Sequence, residues 1–178
     1  MKKILLILML SLFLISYGLT ADDWQSPTGH IAGSWSDEED AYDDDTESYA
    51  QVMVGPFSWG AWIELTIGSM SCDKVRFWAY YDAMTINAID LEVYYDGDYQ
   101  SVYIGAYTHD DWEEKSLGDT YSVTKVRMRF ANSFSSPVPA VLVEFDFNQV
   151  ETGWPHKWNT KEISKWNTKE FTKWNGLE

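Results

Sequence analysis

Eight of the eleven residues at positions 37–47, DEEDAYDDDTE, are acidic. Hard carboxylate and carbonyl oxygens at that density are the ligands that Ca²⁺ takes. The first half, 37–40, reads as a solvated charge run, whereas Asp43, Asp45 and the carbonyls around them offer a more particular oxygen set. The run is no EF-hand, because the Gly and the bidentate Glu of that twelve-residue loop are missing. A second chemistry lies in aromatic residues with polar neighbours. Trp59, Tyr81, His109 and Trp112 are such residues, and Asp82, Asp110 and Asp111 stand beside the last three. An aromatic face for a sugar ring and nearby groups for its hydroxyls is how neutral sugars are held. The competing reading of Trp59 and Trp112 is ordinary packing. Catalytic chemistry finds less support. His30, His109 and His156 have no metal-ligand spacing, no G-x-S-x-G is present, and Cys72 is the single cysteine. One cysteine excludes an intramolecular disulfide and a Cys-based zinc cluster, and a buried thiol is its plain role. A carboxylate pair defined only in space could still hide among the acids.

The elements that must position these residues are strands. Between residues 49 and 149 the apolar positions recur mostly at a period of two. In 60–68, Ala61, Ile63, Leu65 and Ile67 share a face; in 74–81, Val75, Phe77 and Ala79 do; and Ile89, Leu91, Val93 and Tyr95 follow. Asp96-Gly97 is a hairpin signal, with 99–107 returning as the next strand. Strands are also expected over 123–130, with Arg127 and Arg129 on the polar side, and over 140–147, with Val141, Val143, Phe145 and Phe147 on one face. No window sustains a helical stripe. The expected fold is all-β, an antiparallel β-sandwich or jelly roll. The loops such a fold leaves for ligands are 29–33, 56–60, 80–85, 107–112 and 132–139.

The two ends of the 178-residue chain differ from this body. Residues 1–21, with Lys2 and Lys3 before an apolar run and small residues after it, have the layout of a signal peptide cleaved after Gly18 or Ala21. The run is too short for a comfortable membrane span. The expected location is secreted or cell-surface, with no stable span after cleavage. Residues 151–178 carry an eight-residue repeat (HKWNTKEI, SKWNTKEF, TKWNGLE) with Trp158, Trp166 and Trp174 in register. Eight residues fit no single helical face, so an extended or turn-rich tail is expected, flexible or used for partner contact or self-association. The body, 22–150, holds 24 acids and 6 bases, a net of −18, against five Lys and four Glu in the tail. A body this acidic repels phosphate backbones and anionic membranes, so nucleic acid is not an expected partner; cations and neutral ligands remain.

The order of several short motifs resembles the discoidin-like (coagulation factor C-type), galactose-binding-like jelly-roll domains of the kind found in bacterial and phage-like surface proteins. Trp35-Ser36, then Ala41-x-Asp43-x-Asp45-x-x-Ser48-Tyr49-Ala50, is similar to the start of such domains, ahead of a strand like the one at Trp62. The stretch from Ile89 to Tyr99 looks like the family's hairpin, 123–130 like its "a-r-y-v-R-i" strand, and 141–147 like its closing "l-x-E-i-e-f" strand. Three features depart from the pattern: the bracketing disulfide is absent, Asp44 stands where Gly is usual, and Ser48 where Thr is common. The resemblance covers about residues 24–148. It implies a jelly roll that binds glycans or other surface ligands, often with a structural Ca²⁺. Carried over by residue, it gives a metal role to Asp43, Asp45 and Ser48 in the loop and to Glu144 in the last strand. The alternative for Glu144 is a cross-strand pair with Arg127 or Arg129. The expectation is a secreted, non-catalytic module for carbohydrate or another surface ligand, with Trp59, Tyr81, His109 and Trp112 as ligand residues. The alternative is a structural or assembly protein of a cell or virion surface that uses the Trp repeats.

Overall fold

A computed structural model of the protein describes residues 22–81 and 86–151, the side chain of Tyr81 excepted. The 1–21 leader, Asp82 and the repeat tail from residue 152 lie outside the described residues. The strands are β1 (Asp23–Gln25), β2 (Gly29–Ile31), β3 (Ala50–Val54), β4 (Ser58–Trp59), β5 (Ile63–Tyr81), β6 (Ile86–Tyr95), β7 (Asp98–Gly105), β8 (Asp111–Asn132) and β9 (Val138–Gln149). A single 3₁₀ turn at Glu38–Ala41 interrupts the long β2–β3 connection. Every strand pairing is antiparallel.

Two long strands build both layers of the sandwich. The first part of β5 pairs Ile63 to Thr66 with Met128 to Lys125 of β8, and its second part pairs Lys74 to Ala79 with Ser116 to Asp111. Between these parts the register slips at Thr66/Met70 and at Cys72/Lys74. Such bulges bend a strand and increase its twist, so β5 and β8 arch together from one layer to the other. Gly118 lies on the arch with φ +87, a conformation that disfavours any residue with a Cβ. The first layer joins β1 and β3 to β9, then the later half of β5, then the start of β8. The second joins β2 to the start of β5, then the later half of β8, with β4 along its end, then β6 and β7.

The alternation read in the sequence sets the core. Leu65, Val75, Phe77, Ala79, Ile89, Leu91 and Val93 are all buried between the layers. Phe77 of the first layer and Phe130 of the second meet through Tyr107, with ring centroids 6.2 and 5.7 Å apart. Burying each such side chain stabilises the fold by about 1.5–3 kcal/mol. The Asp96-Gly97 hairpin forms as expected, with φ of 55 and 87 at its two turn residues. One face differs from expectation. A register shift between Trp78 and Ala79 opposite β9 places Leu142 and Ala140 in the core with Phe145 and Phe147. Val141 and Val143, expected on that face, are buried outside this cluster. A bulge exchanges the two faces of a strand, and period two cannot reveal it.

The outer faces carry a repeated device. Each of the six bases of the body stacks on an aromatic ring and pairs with a carboxylate. Arg76 lies 3.9 Å from the Trp112 ring and 4.4 Å from that of Trp24, and pairs with Asp146 at 2.7 Å. Arg127 lies between Trp62 and Tyr99 and donates to Glu92 at 2.6 Å. Arg129 lies over Trp62 and Trp59 and pairs with Asp90. Lys74 sits over Trp24 and pairs with Asp22 and Glu114; Lys115 over Tyr103, with Glu113; Lys125 over Tyr94, with Glu64. No base of the body is left over.

Candidate functional site

The acidic loop folds onto the outer side of β9. The Asp45 N–H donates to Asp43 Oδ1 and to Glu144 Oε1, both at 3.0 Å. The Ser48 hydroxyl, with one proton to donate, lies within reach of three acceptors: both Asp43 carboxylate oxygens at 3.0 Å and the Asp45 carbonyl at 2.9 Å. The Asp45 carboxylate itself is turned to the Glu47 N–H. Asp43, Asp45, Ser48 and Glu144 are thus brought together, although 99 residues separate Asp45 from Glu144. Glu144 pairs with neither Arg127 nor Arg129; its cross-strand neighbour is Trp78, and those arginines take Glu92 and Asp90.

Glu144 is 2% exposed, and among the described residues its Oε2 is buried without a hydrogen-bond partner. Burial above all, then the adjacent Asp43 carboxyl and the Asp146 charge, push its pKa from 4.5 up to about 8, against the pull of the Asp45 N–H. Carboxylate oxygens of Asp44, Glu144 and Asp146 lie within 4.8 Å of one another. The Ser26 hydroxyl bridges Asp44 and Asp146. A buried, unpartnered carboxylate oxygen beside two further carboxylates and a loop carbonyl is a donor set that fits a hard cation. Sequence reasoning missed Asp44 and Asp146. Asp146 was within reach, since it follows Glu144 by two on a strand. Asp44 occupies the position where the resembled pattern has Gly, and its φ of 63 is the left-handed geometry that Gly adopts freely.

The aromatic candidates gather at the end of the sandwich away from the arch. The register places Val54 beside Val138, Tyr81 beside Ala140, Ala79 beside Asp111 and Ile86 beside Asn132. The turns after β3, before β8 and before β9 therefore leave the same end. Phe57 N–H bonds the Phe134 carbonyl, and the Asn132 amide donates to the carbonyls of Val54, Gly55 and Ser136, which ties these turns together. The segment 29–33 does not join them: it contains β2, paired along Thr66 to Glu64. Phe57 is 73% exposed, Phe134 49% and Trp59 39%.

Two groups result. On the second layer, Trp59 lies 5.1 Å from the Arg129 guanidinium. On the first layer, Tyr80 packs edge-on to Tyr49 at 5.7 Å and to His109 at 6.4 Å. Beside them the Trp78 indole N–H donates to Asp110 Oδ1 at 3.2 Å, and Trp112 packs edge-on to Trp78. Trp112 is half-buried with Arg76 on its ring, so it carries a structural load beyond any ligand contact. Tyr81 is the last residue of β5, and its side chain is not described. Tyr80 and Trp78, passed over in the sequence as strand residues, are the aromatics at this place. Cys72 is buried, and burial raises its pKa to about 12, so it is no nucleophile.

No family model and no curated protein matches the chain. Solved structures do. The CBM32 module of AlyQ, in complex with 4,5-unsaturated mannuronic acid, is 14% identical with a TM-score of 0.53, over 72% of this chain and 99% of that one. CBM32-1 from a family 31 glycoside hydrolase of Clostridium perfringens is 11% identical with a TM-score of 0.51, over 73% of this chain and 95% of that one. The family 32 module from C. perfringens NanJ, in complex with galactose, is 7% identical with a TM-score of 0.50, over 71% and 91%. The fold is therefore the discoidin-like, galactose-binding-like jelly roll that the motif order resembles. No helix among the described residues is long and apolar enough to cross a membrane.

Proposed function

We propose that residues 22–150 form a non-catalytic carbohydrate-recognition module of a secreted or surface protein, with its site on the turns at the end opposite the arch. The observation that carries this reading is the convergence of aromatic and polar groups from separate strands and turns on that end: exposed Trp59 with Arg129, and half-buried Tyr80 with exposed His109 and Asp110. Aromatic faces beside hydrogen-bonding groups suit pyranose rings. The ligands named for two structural neighbours, galactose and an unsaturated mannuronic acid, support the sugar class. In this reading Trp59 supplies a stacking face, His109 and Asp110 supply hydrogen bonds, and Trp112 holds Trp78 in place.

Calcium belongs to the same proposal. Glu144, Asp43 and the Asp45–Ser48 turn would hold it, with Asp44 and Asp146 adjoining. When bound, the cation supplies positive charge that offsets the crowded carboxylates and pins the 43–48 loop to β9. A glycan array probed with the chain lacking 1–21, and with that chain further shortened by deletion of 154–178, tests the recognition reading. Binding by both forms, and its loss by at least tenfold in His109→Ala with an unchanged melting temperature, is expected; Trp59→Ala should weaken binding likewise but lower the melting temperature, because the Arg129 guanidinium loses a ring. Absence of any glycan signal, together with tail-dependent oligomers in light scattering, would transfer the role to the Trp repeats.

A further inference from the structure

We propose that residues 151–154 carry β9 onward along an open edge of the arch, with Trp154 as the anchor that seats the repeat tail on the body. The starting point is a gap in the sheet. On the edge of β5 that faces away from β8, β2 pairs as far as Thr66, whose carbonyl takes the Thr28 N–H at 2.8 Å. β9 pairs from Cys72 onward, and the Val150 N–H donates to the Ser71 carbonyl at 2.8 Å. Among the described residues no strand lies along this edge between those two bonds, from Ile67 to Met70. Ile67 and Met70 are only partly buried against the core, and Gly68 and Ser69 are exposed. Nothing lies within 4 Å of where a Cβ on Gly68 would stand. An edge left open in this way presents unpaired N–H and C=O groups to any extended chain.

The occupant is argued from where the chain goes. Continued one residue for one beyond Val150 and Ser71, the antiparallel register sets Glu151 beside Met70, Thr152 beside Ser69, Gly153 beside Gly68 and Trp154 beside Ile67. The next place, beside Thr66, is taken by Thr28, and the chain puts Pro155 there, which has no N–H to add to a ladder. The segment between Val150 and Pro155 therefore matches the gap between Ser71 and Thr66 residue for residue. Alternate residues of an antiparallel strand turn their N–H to the same neighbour, so Thr152 follows Val150 as the next donor, opposite the Ser69 carbonyl. Trp154 also stands apart in the sequence: the repeat tryptophans are Trp158, Trp166 and Trp174, and Trp154 is half a repeat out of their register. A ring directly across from Ile67 shares its face and covers the apolar surface that Ile67 leaves exposed. Because residue 152 follows the paired strand directly, no loop has to close before the contact forms. A second copy would have to bring another body of net −18 to the same edge. The repeats then start from the arch, at the pole opposite the turns proposed for glycan.

Hydrogen exchange of the full chain, resolved to single amides, tests this. The Ser69 and Thr152 amides are expected to exchange at least tenfold more slowly than amides of the repeats beyond residue 156. A chain ended after Pro155 is expected to keep the protection at Ser69, and a chain ended after Glu151 to lose it. Two full-length variants make the same test without truncation. Thr152→Pro, which removes the donor opposite Ser69, and Trp154→Ala are each expected to speed exchange at Ser69 severalfold. Thr160→Pro and Trp158→Ala, inside the first repeat, are expected to leave it unchanged. Equal protection of Ser69 in the parent and in Thr152→Pro would overturn the inference, as would equal protection in the parent and in the chain ended after Glu151. Loss of protection in the repeat variants as well would move the contact into the repeats and overturn the role of Trp154. Protection that rises with protein concentration, together with dimers in light scattering, would give the edge to a second copy and overturn it too.

Discussion

At the residue scale, Glu144 gives the sharpest expectation. Its carboxyl titrates at its ordinary 4.5 in the unfolded chain and at about 8 in the fold. The folded protein therefore holds the proton more tightly. The stability linked to it is fully present below about pH 4.5 and is lost as pH rises through 8. In chelator, the unfolding free energy is expected to fall by on the order of 2 kcal/mol between pH 5 and 8 through this group. Glu144→Gln should remove that fall, because the amide keeps the size and loses the titration. Added Ca²⁺ should oppose it by binding the ionised form, raising the melting temperature at pH 8 more than at pH 5. Calorimetric melts of both chains at the two pH values, with and without calcium, decide this. A Glu144→Gln protein with the same pH slope as the parent would show that Glu144 is not the group responsible.

At the element scale, the cross-strand pairs on the outer faces bind strands to strands. Arg129 of β8 places two nitrogens on Asp90 Oδ2 of β6, at 2.6 and 3.0 Å, under the rings of Trp59 and Trp62. Asp90 is 4% exposed and its Oδ1 has no partner among the described residues, so the arginine is what offsets its charge. Arg129→Met keeps part of the stacked bulk and strands the carboxylate. A destabilisation of about 2–4 kcal/mol is expected in urea melts. Adding Asp90→Leu should recover most of it, since two apolar side chains of fitting size commonly replace a buried pair at little cost. Lack of recovery in the double variant would mean that Trp59 and Trp62 depend on the guanidinium itself.

At the scale of the whole molecule, the acidic excess is spread over a body whose bases are all paired, so long-range repulsion is not relieved internally. Salt screens such repulsion within roughly 10 Å at 0.1 M, whereas exposed ion pairs contribute only about 0–1 kcal/mol each and lose little. The melting temperature in chelator is therefore expected to rise by several degrees between 20 and 300 mM NaCl, followed by scanning calorimetry. A fall would mean that the ion-pair ladders outweigh the repulsion. The same excess bears on partners: an approaching polyanion finds no uncommitted Lys or Arg on the described body.

What the sequence determined by itself is local and periodic. Alternation in Val75-Phe77-Ala79 and Ile89-Leu91-Val93 is enough to assign strands and their inner faces, and Asp96-Gly97 is enough to assign a tight hairpin, because both depend on neighbours a few residues apart. The acidic loop was legible as an oxygen-rich segment, and the motif order brought Glu144 to it. Tertiary structure alone decided the rest. Bulges in β5 and β9 have no side-chain period, so the arch between layers and the exchange of Val143 for Leu142 in the core could not be read in advance. Arg76 meets Trp24 and Trp112 only because β1, β5, β8 and β9 lie side by side, which gives Trp112 a partner in the scaffold that its place in the sequence does not reveal. Asp110 becomes a carboxylate among rings only when its turn packs on Tyr80 and Trp78. Strand identity is fixed by residues two apart, whereas a site is fixed by residues that only the pairing of distant strands brings together.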